Sequence, residues 1–391
     1  MKIKCKPGDF LVEEITARTP GEGSYGFYRL TKTNLGTPEA LRYVAEHLGL
    51  QSEKISYGGL KDRHAITRQY LTIENGPPEN LRLKNITLEY LGQTDRPFGP
   101  QDIEANQFKI TVRHLTKRRA ELACQELKLV EAEGYPNYFD QQRFGSVSAS
   151  GEFVACAWVK GDYERALWLA IAAPQSADRP RRREEKAFLR EHWGQWEECL
   201  KHVRSRQTRR VLWFLARHRG DFRRALVQID PLLRRLFLSA FQSAVWNRML
   251  AAYLRQELPG ECLFEFKVAG ARVACYRNLP QPPADRLRAE SLPLPSARLH
   301  HPPGRVLTLI EDILWEWGLT LKKMKLRYPR DTFFSLGDRP MVAIPQNVRW
   351  GIHKDELYEG RRKLVLSFRL PRGAYATVLL RRITAPEIAC K

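Results

Sequence analysis

Cysteine is sparse and unpaired in this chain. Cys5, Cys124, Cys156, Cys199, Cys262, Cys275 and Cys390 are scattered over 391 residues, and no two stand as C-x-x-C. An odd count without paired spacing suggests neither a disulfide framework nor a zinc site. The histidines are as dispersed; His300 and His301 adjoin in a proline-rich stretch without metal-ligand spacing. The expectation is a reduced, cytoplasmic protein with no structural metal. No apolar run approaches the roughly 18 residues that a membrane-spanning helix needs. The start, "MKIKCKPGDF", has no apolar core of a signal peptide. There is no P-loop, no G-x-G-x-x-G and no zinc-deaminase signature, so neither a nucleotide cofactor nor metal-activated water is offered.

Acid is also in short supply. Asp and Glu number 44 against 65 Lys and Arg, a formal charge of +21. That exceeds what solubility requires and points to a polyanionic partner, nucleic acid before membrane. A composition of 43% hydrophobic and 28% charged residues is that of a globular chain. Its length favours two domains.

The first third alternates strands and helices. Residues 1–34 read as β structure with a turn at "GEGSYG". Thr37 and Pro38 open a helix lined by Leu41, Val44, Ala45 and Leu48, with Gly49 to end it. "KISYGGL" reads as a short strand, and "QFKITVR" places Phe108, Ile110 and Val112 on one side. A helix follows with Ala120, Ala123, Leu127 and Val130 inward and Gly134 as its C-cap. After about residue 150 tryptophan and arginine become dense, and "ADRPRRREEK" reads as a charged loop. Asp230 and Pro231 start a long helix. The seven prolines of 279–304 predict an irregular arm. From about 336 strands return in "MVAIP", "KLVLSFRL" and "YATVLLRRI". Strands at both ends of a different middle indicate one domain interrupted by another. The expected division is 1–160 with 336–391, and 161–335 inserted between them.

One stretch concentrates the chemistry. "GGLKDRHAITRQ" sets a single carboxylate, Asp62, between Lys61 and Arg63 on a glycine-bearing loop. Taken alone it reads as a solvated turn. Three other stretches change the balance: "NYFDQQRFG" at 137–145, Tyr375 in "LPRGAYATVLL", and Lys4 and Lys6 near the start. Together they supply a carboxylate, cations to favour its charged form, aromatic faces to stack a base, and amides to read a base edge. Enzymes that act on a nucleobase extrude it and hold it in this way. A lone carboxylate then suits nucleophilic chemistry at a sugar or pyrimidine carbon.

These stretches resemble the TruD family of tRNA pseudouridine synthases. "GGLKDRHAITRQ" is similar to its K-D-[KR]-x-A-x-T-x-Q motif and "YPNYFDQQRFG" to its P-N-Y-F-G-x-Q-R-F-G motif. "LSAFQSAVWN" resembles the helix of its insertion domain, and "IPQNVRW" and "LPRGAYATVLLRR" its C-terminal strands. The resemblance implies an α+β fold: a pseudouridine synthase core with a mixed, mainly antiparallel sheet, interrupted by an α+β, RNA-binding insertion domain. It implies isomerisation of a uridine in tRNA, uridine 13 in its best-known members. Such an isomerisation involves no redox change or net hydrolysis and needs no cofactor, no metal is expected, and the chain is expected to act as a monomer. It carries the nucleophile to Asp62 and its cationic partner to Lys4. It places Asn137 and Phe139 near the uracil, with Gln142 and Arg143 beside them, and makes Tyr375 the stacking platform. Asp140 stands where many members have Gly, adding a negative charge to a loop expected to face RNA, and Ala374 stands where many have Ser. A non-catalytic RNA-binding protein or chaperone on the same scaffold is the competing class; it would have no use for Lys4 and Asp62 together.

Overall fold

The computed structural model describes residues 1–176, 178–300 and 302–385. Of the residues noted above, Ala177, His301 and Cys390 lie outside the described residues. The chain forms two compact units: Met1–Tyr135 with the chain from Ala343 on, and Pro136–Val342. The expected boundaries at 160 and 336 both fall inside the second unit. The reason at the first boundary is a helix, Val154–Lys160, whose Val154 and Trp158 belong to the second unit's apolar core.

The first unit is built on a sheet of nine strands. They are β1 (Phe10–Ile15), β2 (Tyr25–Thr33), β3 (Ile55–Tyr57), β4 (Ile66–Glu74), β5 (Leu81–Leu83), β6 (Ile86–Thr94), β7 (Ala105–Leu115), β8 (Gln346–Lys354) and β9 (Arg362–Pro371). Their order is β8-β9-β7-β1-β4-β2-β6-β5, with β3 also on β4. β1 and β4 run parallel, and every other pair in this sheet is antiparallel. The sheet is therefore mixed and mainly antiparallel, as expected.

Alternation decides which side chains turn inward. Phe10, Val12 and Glu14 of β1 share a face with Phe108 and Ile110 of β7 and with Thr67 of β4, by direct register. The β2–β4 register adds Lys32 opposite Thr67 and Leu30 opposite Gln69. Helix α1 (Thr37–His47) covers part of this face with Leu41, Val44 and Ala45. Burying each larger side chain contributes about 1.5–3 kcal/mol. Helix α2 (Lys117–Glu133) packs on β7, β8 and β9 and ends at Gly134, whose φ of 72° suits glycine.

"YATVLLRRI" is not a strand. Residues Ala376–Thr384 form a helix that packs on α2. Gly373, at φ 84°, breaks the chain out of β9. Ala376, Leu379, Leu380 and Ile383 then fall at i, i+3, i+4 and i+7 and are buried. The β-branched residues misled because periodicity, not composition, carries this segment.

The second unit is mainly helical. In chain order it contains α3 (Val154–Lys160), α4 (Tyr163–Ile171), α5 (Pro180–Glu191), α6 (Trp196–His202), α7 (Arg206–Arg217), α8 (Phe222–Val227), α9 (Pro231–Glu257), α10 (Pro283–Ala289) and α11 (Gly304–Trp315). Two strand pairs accompany them: Leu263–Val268 with Ala271–Tyr276, and Ser291–Pro293 with Asp338–Pro340. Asp230 caps α9 as expected, its carboxylate accepting from the Leu232 N–H at 2.8 Å. The charged stretch expected to be a loop is α5. Pro180 opens it, Leu189 joins the apolar core, and buried Lys186 pairs with Asp178 at 2.8 Å. The proline-rich arm is irregular except for α10 and Ser291–Pro293.

Candidate active site

The loop before β4 lies along the shared face of the sheet. Gly58 fits there because it has no side chain: a Cβ would come within 2.4 Å of Ile103 Cδ1 and 3.2 Å of the Gly99 carbonyl. Gln69 Nε2 donates to the Gly59 carbonyl at 3.3 Å, and the Lys61 N–H donates to Thr37 Oγ1 at 3.0 Å. Thr37 in turn donates to Gln69 Oε1 at 2.9 Å. The Thr67 and Gln69 of the motif are thus buried scaffold beneath the loop rather than reacting groups.

Asp62 comes out of this frame toward Lys4. The Lys4 ammonium donates to Asp62 Oδ2 at 2.9 Å, and both side chains keep about a fifth of their surface exposed (21% each). The pair is therefore partly desolvated yet open to a substrate. Lys4 Nζ also lies 4.3 Å from the centre of the Phe10 ring. Two residues 58 positions apart are brought together by the parallel pairing of β1 and β4.

The N-terminal arm has its own anchor. Lys2 and Arg113 exchange backbone hydrogen bonds at 2.9 and 2.8 Å. The buried Arg113 guanidinium donates to Asp9 at 2.8–3.0 Å and to Asp355 and Glu356 at 2.9 Å. Asp9 also accepts from the Lys6 N–H at 2.9 Å. Between these two fixings Lys4 adopts φ 58°, the left-handed region that a lysine rarely occupies.

Two charged residues of the site were missed in the sequence. Lys32 is fully buried, and its ammonium donates to the carbonyls of Leu35 at 2.7 Å and Asp62 at 2.8 Å. Burial pulls its pKa down to about 8, with the Asp62 charge opposing and Lys61 and Arg63 adding to the fall. Glu14 is buried, accepts from the Tyr70 N–H at 2.8 Å and pairs with Lys61 at 2.8 Å. Burial raises its pKa, against the charge and hydrogen bond of Lys61. The signal was the strand alternation: Phe10-Val12-Glu14 and Tyr28-Leu30-Lys32 each end an inward series on a charge.

Lys61 and Arg63, the cations that flank Asp62 in the sequence, have carboxylate partners elsewhere. Lys61 is tucked between Glu14 and Asn106 Oδ1, at 2.8 Å from each, and Arg63 pairs with Glu39 in the first turn of α1.

Tyr375 belongs to the same unit as Asp62, at the N-cap of the last helix, α12 (Ala376–Thr384), and is half-buried. Its carbonyl accepts from Tyr135 Oη at 3.2 Å.

Asn137, Phe139, Gln142 and Arg143 belong to the second unit. The segment was expected to supply amides that read a base edge and a loop that faces RNA; the structure buries most of it. Asn137 is buried, its Oδ1 accepting from Arg339 at 2.7 Å and its Nδ2 donating to the Pro340 carbonyl at 3.0 Å. Phe139 is buried edge-on against Trp246, its backbone bonded at both ends to the Asn247 amide. Asp140 is buried as well, so its charge is not displayed on an exposed loop. Gln142 and Arg143 are exposed, and Arg143 donates to Ser243 Oγ at 3.3 Å.

A carboxylate held by a lysine over a mixed sheet, with a helical unit inserted before the last strands, is the architecture of a pseudouridine synthase. The chain belongs to the TruD family: the model of tRNA pseudouridine synthase D matches residues 1–383. It is 31% identical over 390 residues to a Methanocaldococcus jannaschii protein named "Probable tRNA pseudouridine synthase D 2", covering 98% of this chain and 91% of the relative. It is 28% identical over 396 residues to tRNA pseudouridine synthase D of Aquifex aeolicus, covering 99% of each. The solved TruD structure from Methanosarcina mazei superimposes with a TM-score of 0.70 at 26% identity, over 98% of this chain and 93% of that one. No described helix is long and apolar enough to cross a membrane.

Proposed function

We propose that this chain isomerises a uridine of tRNA, uridine 13, to pseudouridine, with Asp62 as the reacting carboxylate and Lys4 as its charge partner. The observation that carries this reading is the Lys4–Asp62 ion pair, 2.9 Å long and partly open to solvent. The reaction breaks the N1–C1′ bond, turns the uracil and joins C5 to C1′. One proton leaves C5 and one arrives at N1, so atoms and electrons balance without a cofactor. Asp62 acts at the sugar, either by attack on C1′ or by removing a sugar proton to give a glycal. Both routes use a carboxylate anion beside a fixed cation.

Tyr375 stacks on the displaced uracil and keeps it from escaping while it turns. Asn137, Phe139, Gln142 and Arg143 are assigned to substrate binding from the family motif, and their burial assigns Asn137 and Phe139 to shaping the segment that carries it. The +21 charge holds the tRNA backbone. The chain acts as a monomer in the cytoplasm, its first unit catalytic and its second RNA-binding.

Asp62→Asn keeps the size of the side chain and removes its nucleophile. It lowers turnover by several orders of magnitude while tRNA binding is retained. Turnover near wild type in this variant would remove Asp62 from the chemistry and leave an RNA-binding protein. Pseudouridine mapping of total RNA with and without the gene fixes the position modified; loss at another uridine, with uridine 13 untouched, refutes the site assignment.

A further inference from the structure

Positive charge in the second unit is not spread evenly. The segment 321–328 reads L-K-K-M-K-L-R-Y. Leu321 and Met324 are buried and Leu326 packs against the helical core, so Lys322, Lys323, Lys325 and Arg327 turn outward together. Across from them α3 ends in Lys160, where Gly161 at φ 85° turns the chain into α4. These two segments enclose a cavity of about 360 Å³. Trp158 and Tyr163 form apolar parts of its wall, and the buried indole N–H of Trp158 has no hydrogen-bond partner among the described residues. The ring of Tyr328 stands at the rim with the Arg223 guanidinium 5.1 Å from its centre.

The neutralisation pattern distinguishes this cavity. Among the described residues, none of Lys160, Lys322, Lys323, Lys325 and Arg327 has a carboxylate within ion-pair distance, and no acidic residue lines the cavity. Two further cavities of the unit differ. One is lined by Arg206, Arg209 and Arg210 but also by Asp230, and its Arg209 is used on the Val203 carbonyl at 3.0 Å. The other includes Glu316, which pairs with Arg248. Five unneutralised cations around one concavity repel one another and raise the local affinity for an anion. Four of them are lysines, point charges on flexible stems that suit phosphate oxygens without demanding one geometry.

We propose that this cavity is a phosphate-binding site of the second unit, occupied by the sugar-phosphate backbone of the tRNA substrate. The proposal rests on the reading of the chain as a tRNA-modifying enzyme and adds to it a named anchoring site. Tyr328, whose ring is exposed, supplies apolar surface for a ribose between the phosphates.

The test is the full-length triple variant Lys323→Gln/Lys325→Gln/Arg327→Gln. Its three side chains are exposed and carry no ion pair, so folding is preserved. The control removes three cations that are paired with acids elsewhere in the unit: Lys201→Gln/Arg219→Gln/Arg224→Gln. Affinity for tRNA is measured from low to high salt, with pseudouridine formation at saturating tRNA. Loss of three phosphate contacts makes the slope of log affinity against log salt shallower by about 2–3 and weakens binding by about tenfold or more near physiological salt. The control changes the slope by less, and turnover at saturation is unchanged in both. A triple variant with wild-type affinity and slope, or no different from the control, overturns the cavity assignment while leaving the enzymatic reading intact. A wild-type protein that neither binds nor modifies tRNA overturns the reading itself. Inorganic tripolyphosphate is the third arm: if it stabilises the wild type against heat, the triple variant abolishes that effect and tRNA affinity does not change, the cavity serves a small free phosphate and the proposal fails.

Discussion

Arg113 holds Asp9 through both Nε and Nη2, at 2.8–3.0 Å, across 104 positions of sequence. That buried pairing acts on the site through one residue. It fixes the turn Pro7–Asp9, while the Lys2–Arg113 backbone pair fixes the chain on the other side of Lys4. Lys4 lies between the two fixings with a φ of 58°.

Asp9→Asn tests the arm. Arg113 keeps Asp355 and Glu356, so the fold survives, but one partner of a buried network is lost. The expected cost is about 3 kcal/mol in urea unfolding. Turnover falls by about a hundredfold if Lys4 moves by about 1 Å, because a misplaced ion pair loses its alignment with the substrate. Loss of stability with unchanged turnover removes Arg113 and Asp9 from positioning Lys4.

Lys4 itself separates charge from backbone strain. Lys4→Met removes the cation and keeps the left-handed residue. Lys4→Gly removes both, and glycine relieves about 1 kcal/mol of strain at this φ. Both variants lose about a hundredfold or more in turnover, the effect of removing one fixed electrostatic partner. In chemical unfolding the Gly variant is the more stable of the two. A Met variant that retains wild-type turnover assigns Lys4 to structure alone.

The Lys4–Asp62 ion pair was legible because each member sits in a short dense motif, "KCKPGDF" and "GLKDRHA". The frame beneath it was not. Glu14 and Lys32 look like ordinary strand charges until the register of β1, β2 and β4 puts them on the covered face. A single sequence fixes alternation within a strand but not which neighbour covers it. The last helix was hidden for another reason: Thr377, Val378 and Ile383 suit a strand, and Arg382 looks like an outward charge. Arg382 is buried against Glu126 of α2, a partner 256 residues away that no local pattern announces. Asn137 and Phe139 show the opposite error. Polar and aromatic residues were read as a surface, yet the Asn247 and Arg339 side chains satisfy them internally.

Lys32 gives a pH-dependent signature. Its pKa in the fold is about 8, below the ordinary lysine value of 10.5 that the unfolded chain has. Between those two values the unfolded state binds more protons than the folded one, so this residue makes stability rise with pH across that window. Below the folded pKa its contribution is constant and unfavourable. In Lys32→Met the rise is absent. The difference in unfolding free energy, wild type minus variant, therefore grows from pH 8 to 10.5 and is flat below 8. Urea unfolding at four pH values reads it directly. Loss of the donor to the Asp62 carbonyl also slackens the loop and lowers turnover about tenfold or more. A difference that does not change with pH shows that Lys32 is not the depressed group.

Tyr375 separates stacking from support. The structure puts it at the N-cap of α12 rather than inside a strand, so its backbone carbonyl, which accepts from Tyr135 Oη, keeps that bond whatever side chain follows. Comparing an aromatic with an aliphatic replacement there therefore reports on the ring. Tyr375→Phe retains the aromatic face, and turnover stays within a few-fold of wild type. Tyr375→Leu retains apolar bulk and loses the face. Stacking of one base on an aromatic side chain contributes about 1–3 kcal/mol, so the Leu variant loses about tenfold to a hundredfold in turnover. Its melting temperature stays close to wild type, because the side chain is half-buried and the replacement covers similar apolar surface. The opposite pattern is equally readable. A Leu variant that melts earlier but turns over at the wild-type rate places Tyr375 among the supports of α12 and takes the platform away from it.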